Sequence, residues 1–287
     1  MGEAAFTEGE WTSADGLVLR YRDYPGNTDR PPILCIPGLT RNARDFEPVA
    51  DAFAGEWRVI CADLRGRGQS DYARDSASYT PAQYVSDIMA LLDSAGLDRV
   101  VAIGTSLGGI VTMLLASVAP ERLAGAVLND IGPEVEPAGL ARIREYVGQG
   151  RSFPTWVHAA RALKEQAAAA HPDYGLSEWL RLAKRLMCVG AGGRIAFDYD
   201  MKIAEPFDLP PSGATVDMWA ALRALSGRPV LAIRGELSDI LSAASVARME
   251  REVPGLEVVT VPSVGHAPTL DEPEAQRAIA RLLGRVA

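Results

Sequence analysis

The chain has 287 residues, 48% of them hydrophobic and 23% charged, with a formal net charge of −8. That length and apolar content suffice for a large core, built as one domain or as one domain carrying an insertion. The acidic balance, with no block of Lys or Arg, argues against a nucleic-acid partner and against attraction to anionic membranes.

The stretch Met1 to Glu10 has no basic segment followed by an apolar one, and nowhere do about 18 apolar residues run together, so a cytoplasmic protein is expected. Cys35, Cys61 and Cys188 match neither a zinc spacing nor a disulfide framework and are expected as reduced, buried thiols. Residues 11–14 and 17–22, separated by Asp15-Gly16, predict an antiparallel hairpin. Ile33 to Ile36 predicts a buried strand ending at the loop Pro37-Gly38-Leu39-Thr40, with a helical pattern over 45–53 beyond it. Another strand is expected over 57–62, followed by the turn-rich loop Asp63 to Ser70.

A well-punctuated helix follows: Thr80 as N-cap, Pro81 at the first position, Gln83 completing a capping box, Tyr84, Ile88, Leu91 and Leu92 on one face, and Gly96 as terminator. Val100 to Ile103 reads as a strand buried on both faces and Ile110 to Leu115 as a packed helix, which places Ser106 on the turn between them. A strand over 123–128 ends at Asn129-Asp130-Ile131-Gly132-Pro133. The alternation of strand and helix to this point predicts a parallel sheet. From about 134 to 225 strands fade, helical stretches appear near 155–170 and 177–188, and three tryptophans cluster. A helical insertion is expected there. The alternation returns with a strand over 229–234, a helix over 242–251, a strand over 256–261 and a last helix from Pro273 towards Leu283.

In such a sheet the reactive crevice lies beyond the carboxyl ends of the strands. Gly104-x-Ser106-x-Gly108 has the spacing of a nucleophile elbow, in which small flanking residues allow a sharp turn. Two further strand ends carry Gly235-Glu236-Leu237-Ser238-Asp239 and Ser263-Val264-Gly265-His266-Ala267-Pro268. Of three histidines, His158 and His171 fall in the expected insertion, which leaves His266 after a core strand.

On Gly104-x-Ser106-x-Gly108-Gly109, Asp63-x-Arg65-Gly66-x-Gly68-x-Ser70, Gly235 followed by Asp239, and Gly265-His266, the chain resembles the α/β-hydrolase superfamily over nearly all of its length outside the insertion. Two positions depart from the family pattern. Pro37-Gly38 stands where a His-Gly pair is usual, and Asp239 lies four residues after Gly235 where the acid usually lies three after. The resemblance implies an α/β-hydrolase fold with a mostly parallel eight-stranded sheet, helices on both faces, a core over 1–133 and 226–287, and a helical cap over 134–225.

It also implies Ser106 as nucleophile, His266 as general base and Asp239 as the acid that orients it. Asp130 is the alternative acid, ending a strand beside Ser106, and Glu236 a lesser one. The N–H groups of Leu39 and Leu107 are assigned to an oxyanion hole. Gly38, Phe153, Trp156, Trp179, Met187 and Trp219 are candidates for the substrate pocket, with packing within the cap as the competing role.

Arg65 and Arg67 are expected to pair with Asp63 or Asp71 rather than with substrate, and Gly66-Arg67-Gly68 is a turn rather than a dinucleotide loop. No metal or cofactor is expected. The expected activity is hydrolysis of a small, largely apolar carboxylic ester or lactone through an acyl-enzyme, by a monomer or homodimer. Carbon–carbon bond hydrolysis, aminopeptidase or peracid-forming chemistry on the same residues, and a hydrolase-fold small-molecule sensor, are the alternatives. A serine at the elbow excludes the dehalogenase variant, which needs a carboxylate there.

Overall fold

The computed structural model describes residues 5–208 and 216–286; residues 1–4 of the N-terminal stretch and 209–215 of the expected insertion lie outside the described residues. In chain order the strands are β1 (Thr7–Thr12), β2 (Val18–Tyr24), β3 (Ile33–Ile36), β4 (Val59–Asp63), β5 (Val100–Thr105), β6 (Leu123–Asn129), β7 (Ser152–Phe153), β8 (Met187–Val189), β9 (Ile195–Phe197), β10 (Val230–Gly235) and β11 (Glu257–Val261). The helices are α1 (Glu47–Phe53), α2 (Pro81–Ser94), α3 (Leu107–Val118), α4 (Pro137–Tyr146), α5 (Trp156–Ala167), α6 (Leu176–Leu186), α7 (Glu205–Asp208), α8 (Met218–Arg223), α9 (Ala243–Glu252) and α10 (Pro273–Leu283).

Eight strands form one sheet in the order β1-β2-β4-β3-β5-β6-β10-β11. The β1–β2 and β2–β4 pairs are antiparallel and all the others parallel. The predicted hairpin turns at Gly16, whose φ of 85° lies in the left-handed region. Strands β3, β4, β5 and β6 are buried along their whole length, as a sheet covered on both faces requires.

Because side chains alternate along a strand, Leu34, Ile36, Val100 and Ala102 join the apolar layer under α2, α3, α8 and α9. Ile33, Cys35, Val101 and Ile103 join the opposite layer, under α1 and α10. Cys35 and Cys61 are register partners on β3 and β4 and fully buried, whereas Cys188 is only half-buried.

Helix α2 follows its punctuation with one exception. The Thr80 hydroxyl accepts from the Gln83 N–H at 3.3 Å, but the Gln83 amide donates forward to Asp87 at 3.1 Å. The Thr80 N–H donates instead to the Ser78 carbonyl at 2.8 Å, so only half of the capping box forms. Asp87 attracts the Gln83 amide because it is a buried carboxylate, held by Arg65 at 2.6 and 2.7 Å.

Between β6 and β10 the chain builds α4 to α8 and a three-stranded sheet, β7-β9-β8. This small sheet is absent from the sequence reading because two- and three-residue strands are too short to show an alternating pattern. Phe153, Ala159, Leu163, Trp179, Leu182 and Met187 form a separate apolar cluster here. The segment meets the core where the Gly265 N–H donates to the Ala170 carbonyl at 2.6 Å. A side chain at residue 265 would collide with that backbone, since an added Cβ would lie 2.8 Å from the Ala170 Cα.

Beside this contact His171 is buried, stacked on Tyr174 with ring centroids 4.5 Å apart, and its Nδ1 has no hydrogen-bond partner among the described residues. Burial, aided by the Arg41 cation, pushes its pKa down to about 4. The unfolded chain binds this proton near the ordinary histidine value of about 6.5. The neutral ring is therefore favoured by the fold, and its contribution is complete above that value and lost as pH falls through about 4. Replacing His171 with Phe removes the loss. Between pH 7 and pH 4 the unfolding free energy of His171→Phe should improve relative to wild type by up to about 3 kcal/mol in urea titrations. Parallel pH profiles would contradict this.

Candidate active site

Ser106 sits between β5 and α3 with φ 52° and ψ −113°, a conformation that a non-glycine residue adopts only under constraint. The constraint is close packing. A Cβ on Gly104 would lie 2.3 Å from the Gly108 carbonyl oxygen, and one on Gly108 would lie 1.9 Å from the Ile36 oxygen. The flanking glycines are thus required by backbone approach, not by their own dihedral angles. The elbow lifts the Ser106 hydroxyl over the carboxyl ends of the strands, where the His266 Nε2 lies 2.9 Å from it.

The His266 Nδ1 faces Asp130, 2.7 Å from Oδ2. Asp130 is the residue immediately after β6, fully buried, with φ 55°. Its Oδ1 accepts from the Gly235 N–H at 2.8 Å and its Oδ2 from the Ser238 hydroxyl at 2.6 Å. With His266 these donors give a desolvated carboxylate the partners it needs.

Asp239, the acid expected from the sequence, is not in this chain of contacts. Arg142 holds it at 2.6 and 2.8 Å, away from the imidazole, and this pairing lowers its pKa. Glu236 accepts from the Ser263 N–H at 2.8 Å. The residue three places after Gly235 is Ser238, which supplies a hydroxyl to Asp130. That spacing is the signal the sequence reading left unused.

The N–H groups of Leu39 and Leu107 take no part in the backbone hydrogen bonds of their turn and helix. Both residues line a cavity of about 320 Å³ that Ser106 also lines. Its walls come from Tyr79, Thr80, Pro81 and Tyr84 at the start of α2, Ile110 on α3, Ile131 and Val135 after β6, Leu140 and Ile143 on α4, Pro206 and Ile240. None of these side chains is charged.

The residues proposed for the pocket from sequence lie elsewhere. Phe153, Trp179 and Met187 are buried in the segment's own apolar cluster, with Trp156 packed against it. Trp219 donates its indole N–H to Glu134 at 2.9 Å, with Arg248 3.8 Å above its ring. Gly38 is beside the nucleophile, its added Cβ falling 3.7 Å from that of Ser106, but it is not a wall of the cavity. A one-dimensional reading finds aromatic residues; it does not show which way a helix turns them.

The arginine pairings also differ from expectation. Asp63 accepts from the Ala43 and Gln69 N–H groups at 2.6 and 3.0 Å, and burial raises its pKa to about 6. Arg65 pairs with Asp87 and Asp15. Arg67 has no carboxylate partner among the described residues and donates to the Leu39 and Arg65 carbonyls and to the Tyr84 hydroxyl. Among the described residues no cluster of three or more His, Cys, Asp or Glu side chains is placed to hold a metal ion, and no helix is long and apolar enough to cross a membrane.

Comparison with known proteins agrees with this architecture. The chain is 34% identical to a 3-hydroxybutyrate-oligomer hydrolase of Cupriavidus necator over 269 residues, 91% of each chain. It is 27% identical to a 2-(acetamidomethylene)succinate hydrolase of Mesorhizobium japonicum over 236 residues, 82% of this chain and 81% of the other. A crystal structure of an alpha/beta hydrolase from Novosphingobium aromaticivorans superimposes with a TM-score of 0.95 at 60% identity, covering 99% of this chain and all of that one (100%). The family profile described as alpha/beta hydrolase fold matches residues 31–273. The chain is therefore a member of the alpha/beta hydrolase fold family.

Proposed function

We propose that this protein is a serine hydrolase that cleaves a small carboxylic ester or lactone through an acyl-enzyme, with Ser106, His266 and Asp130 as its triad. The observation that carries the reading is the unbroken path from the Ser106 hydroxyl to the His266 Nε2 at 2.9 Å and from its Nδ1 to Asp130 at 2.7 Å, with Ser106 lining an apolar cavity.

The serine hydroxyl is a weak nucleophile at neutral pH. As it attacks the ester carbonyl, His266 Nε2 takes its proton, the buried Asp130 stabilises the imidazolium that forms, and His266 returns the proton to the leaving alcohol. Water then attacks the acyl carbonyl while His266 Nε2 takes its proton, and that proton passes to the Ser106 oxygen as the carboxylic acid leaves. Negative charge on the tetrahedral oxygen falls to the Leu39 and Leu107 N–H groups, assisted by the α3 N-terminus.

The uncharged walls favour an acyl group without a formal charge. The relative named a 3-hydroxybutyrate-oligomer hydrolase supports esters of short hydroxy acids as substrates. The segment between β6 and β10 serves as the cap over this cavity, contributing Leu140, Ile143 and Pro206 to its walls.

With p-nitrophenyl butyrate and a 3-hydroxybutyrate dimer as substrates, Ser106→Ala should lower kcat by at least about 10⁴-fold. Turnover equal to wild type would remove the assigned nucleophile. Asp130→Asn should lower kcat by about 10³- to 10⁴-fold, because the wrong histidine tautomer is then favoured. Asp239→Asn should stay within about threefold of wild type, since it breaks a half-exposed ion pair. The reverse order of effects would return the acid to Asp239.

A further inference from the structure

The buried guanidinium of Arg67 has no role in the scheme above. Arg67 lies in the loop after β4 and is fully inaccessible to solvent. Its Nε donates to the Leu39 carbonyl at 2.8 Å, its Nη1 to the Arg65 carbonyl at 2.6 Å and its Nη2 to the Tyr84 hydroxyl at 3.1 Å. Its charge centre also lies 4.8 Å from the centroid of the Tyr84 ring and 5.9 Å from that of Tyr79. A cation is costly to bury without a counter-ion; here carbonyl dipoles and aromatic faces take the counter-ion's place.

What it holds is specific. Leu39 is the second residue of the turn Gly38–Arg41, closed by the Arg41 N–H donating to the Gly38 carbonyl at 3.2 Å. The Leu39 carbonyl and the Leu39 N–H belong to one residue, so fixing the first restricts the second. Pro37 stands where the family pattern has a histidine that steadies this loop, and proline offers no such side chain. The same guanidinium also fixes Tyr84, which forms part of the cavity wall beside Ser106.

We infer that Arg67 is a positioning residue for the oxyanion hole: its fork anchors the Leu39 turn to the α2 wall, so that the Leu39 N–H is aimed before the oxyanion forms. This rests on the proposed acyl transfer at Ser106. A preorganised donor acts on the charge that develops in the transition state and little on the ground-state ester. Loosening the turn should therefore lower kcat and leave KM nearly unchanged.

The test uses Arg67→Met, which keeps most of the volume and removes the fork. The number of intact sites is first counted by end-point titration with a fluorophosphonate. Per titrated site, kcat for p-nitrophenyl butyrate should fall by about 10- to 100-fold, with KM within about twofold of wild type. The inhibition constant of an alkyl trifluoromethyl ketone, which forms a charged hemiketal on the serine, should rise by a similar factor.

If R67M yields too few titratable sites, R67K is measured in the same two ways. A single ammonium cannot reach Leu39 and Tyr84 together as the planar fork does, so the same direction of change is expected. An unchanged kcat per site, even with a lowered melting temperature, would make Arg67 a purely structural residue and overturn the proposal. So would a fall in kcat with unaltered affinity for the ketone. A wild-type enzyme with no Ser106-dependent turnover would defeat the underlying reading and this proposal with it, a result distinct from an active wild type matched by R67M.

Discussion

The geometry of the site depends on one close approach, that of the first turn of α3 to the end of β3. The Gly108 Cα stands where any Cβ would fall 1.9 Å from the Ile36 oxygen, so helix and strand tip touch through bare backbone. That contact holds Ser106 in a conformation its own side chain would avoid. It also brings the α3 N-terminus and the loop after β3 to the same point in space. Ser106 and the α3 N-terminus are thus set by packing, beside the loop that carries Leu39.

Around this point the protein tolerates several buried charges, each handled differently. Asp130 is fully inaccessible and takes hydrogen bonds from Gly235, Ser238 and His266. Arg65 is neutralised by Asp87 and Asp15. Arg67 relies on carbonyls and aromatic rings. In a low-dielectric interior, partners already in place cost no reorganisation when charge moves. Part of the segment between β6 and β10, α4 and α8 included, packs on the same core layer as α2 and α3, whereas α5, α6 and the short strands form a cluster of their own.

Most of the sheet was legible because fully buried strands appear as unbroken apolar runs and their helices carry clear caps, as at Thr80 and Gly96. The placement of Ser106 and His266 at strand ends was legible for a related reason: each follows an apolar run that ends in small residues. The acid was not. Counting from Gly235 places Asp239 near the expected position, yet what decides between carboxylates is which strand tip faces the imidazole, and Arg142 on α4 claims Asp239 from across the chain. The pocket was illegible for the same reason. Its walls come from six separate parts of the sequence, while Trp156 and Trp179 turn inward to the segment's own cluster and Trp219 pairs with Glu134 and Arg248. The short strands β7, β8 and β9 carry too few residues for a pattern.

The pairing of Asp130 with Ser238 ties the ends of two strands together. Strands β6 and β10 are neighbours in the sheet, so their tips offer two berths for one negative charge beside a single imidazole ring. In this chain the carboxylate occupies one and a hydroxyl the other, joined at 2.6 Å. The position of the carboxylate beside the imidazole is thus a property of adjacent strand tips taken together, not of either loop alone.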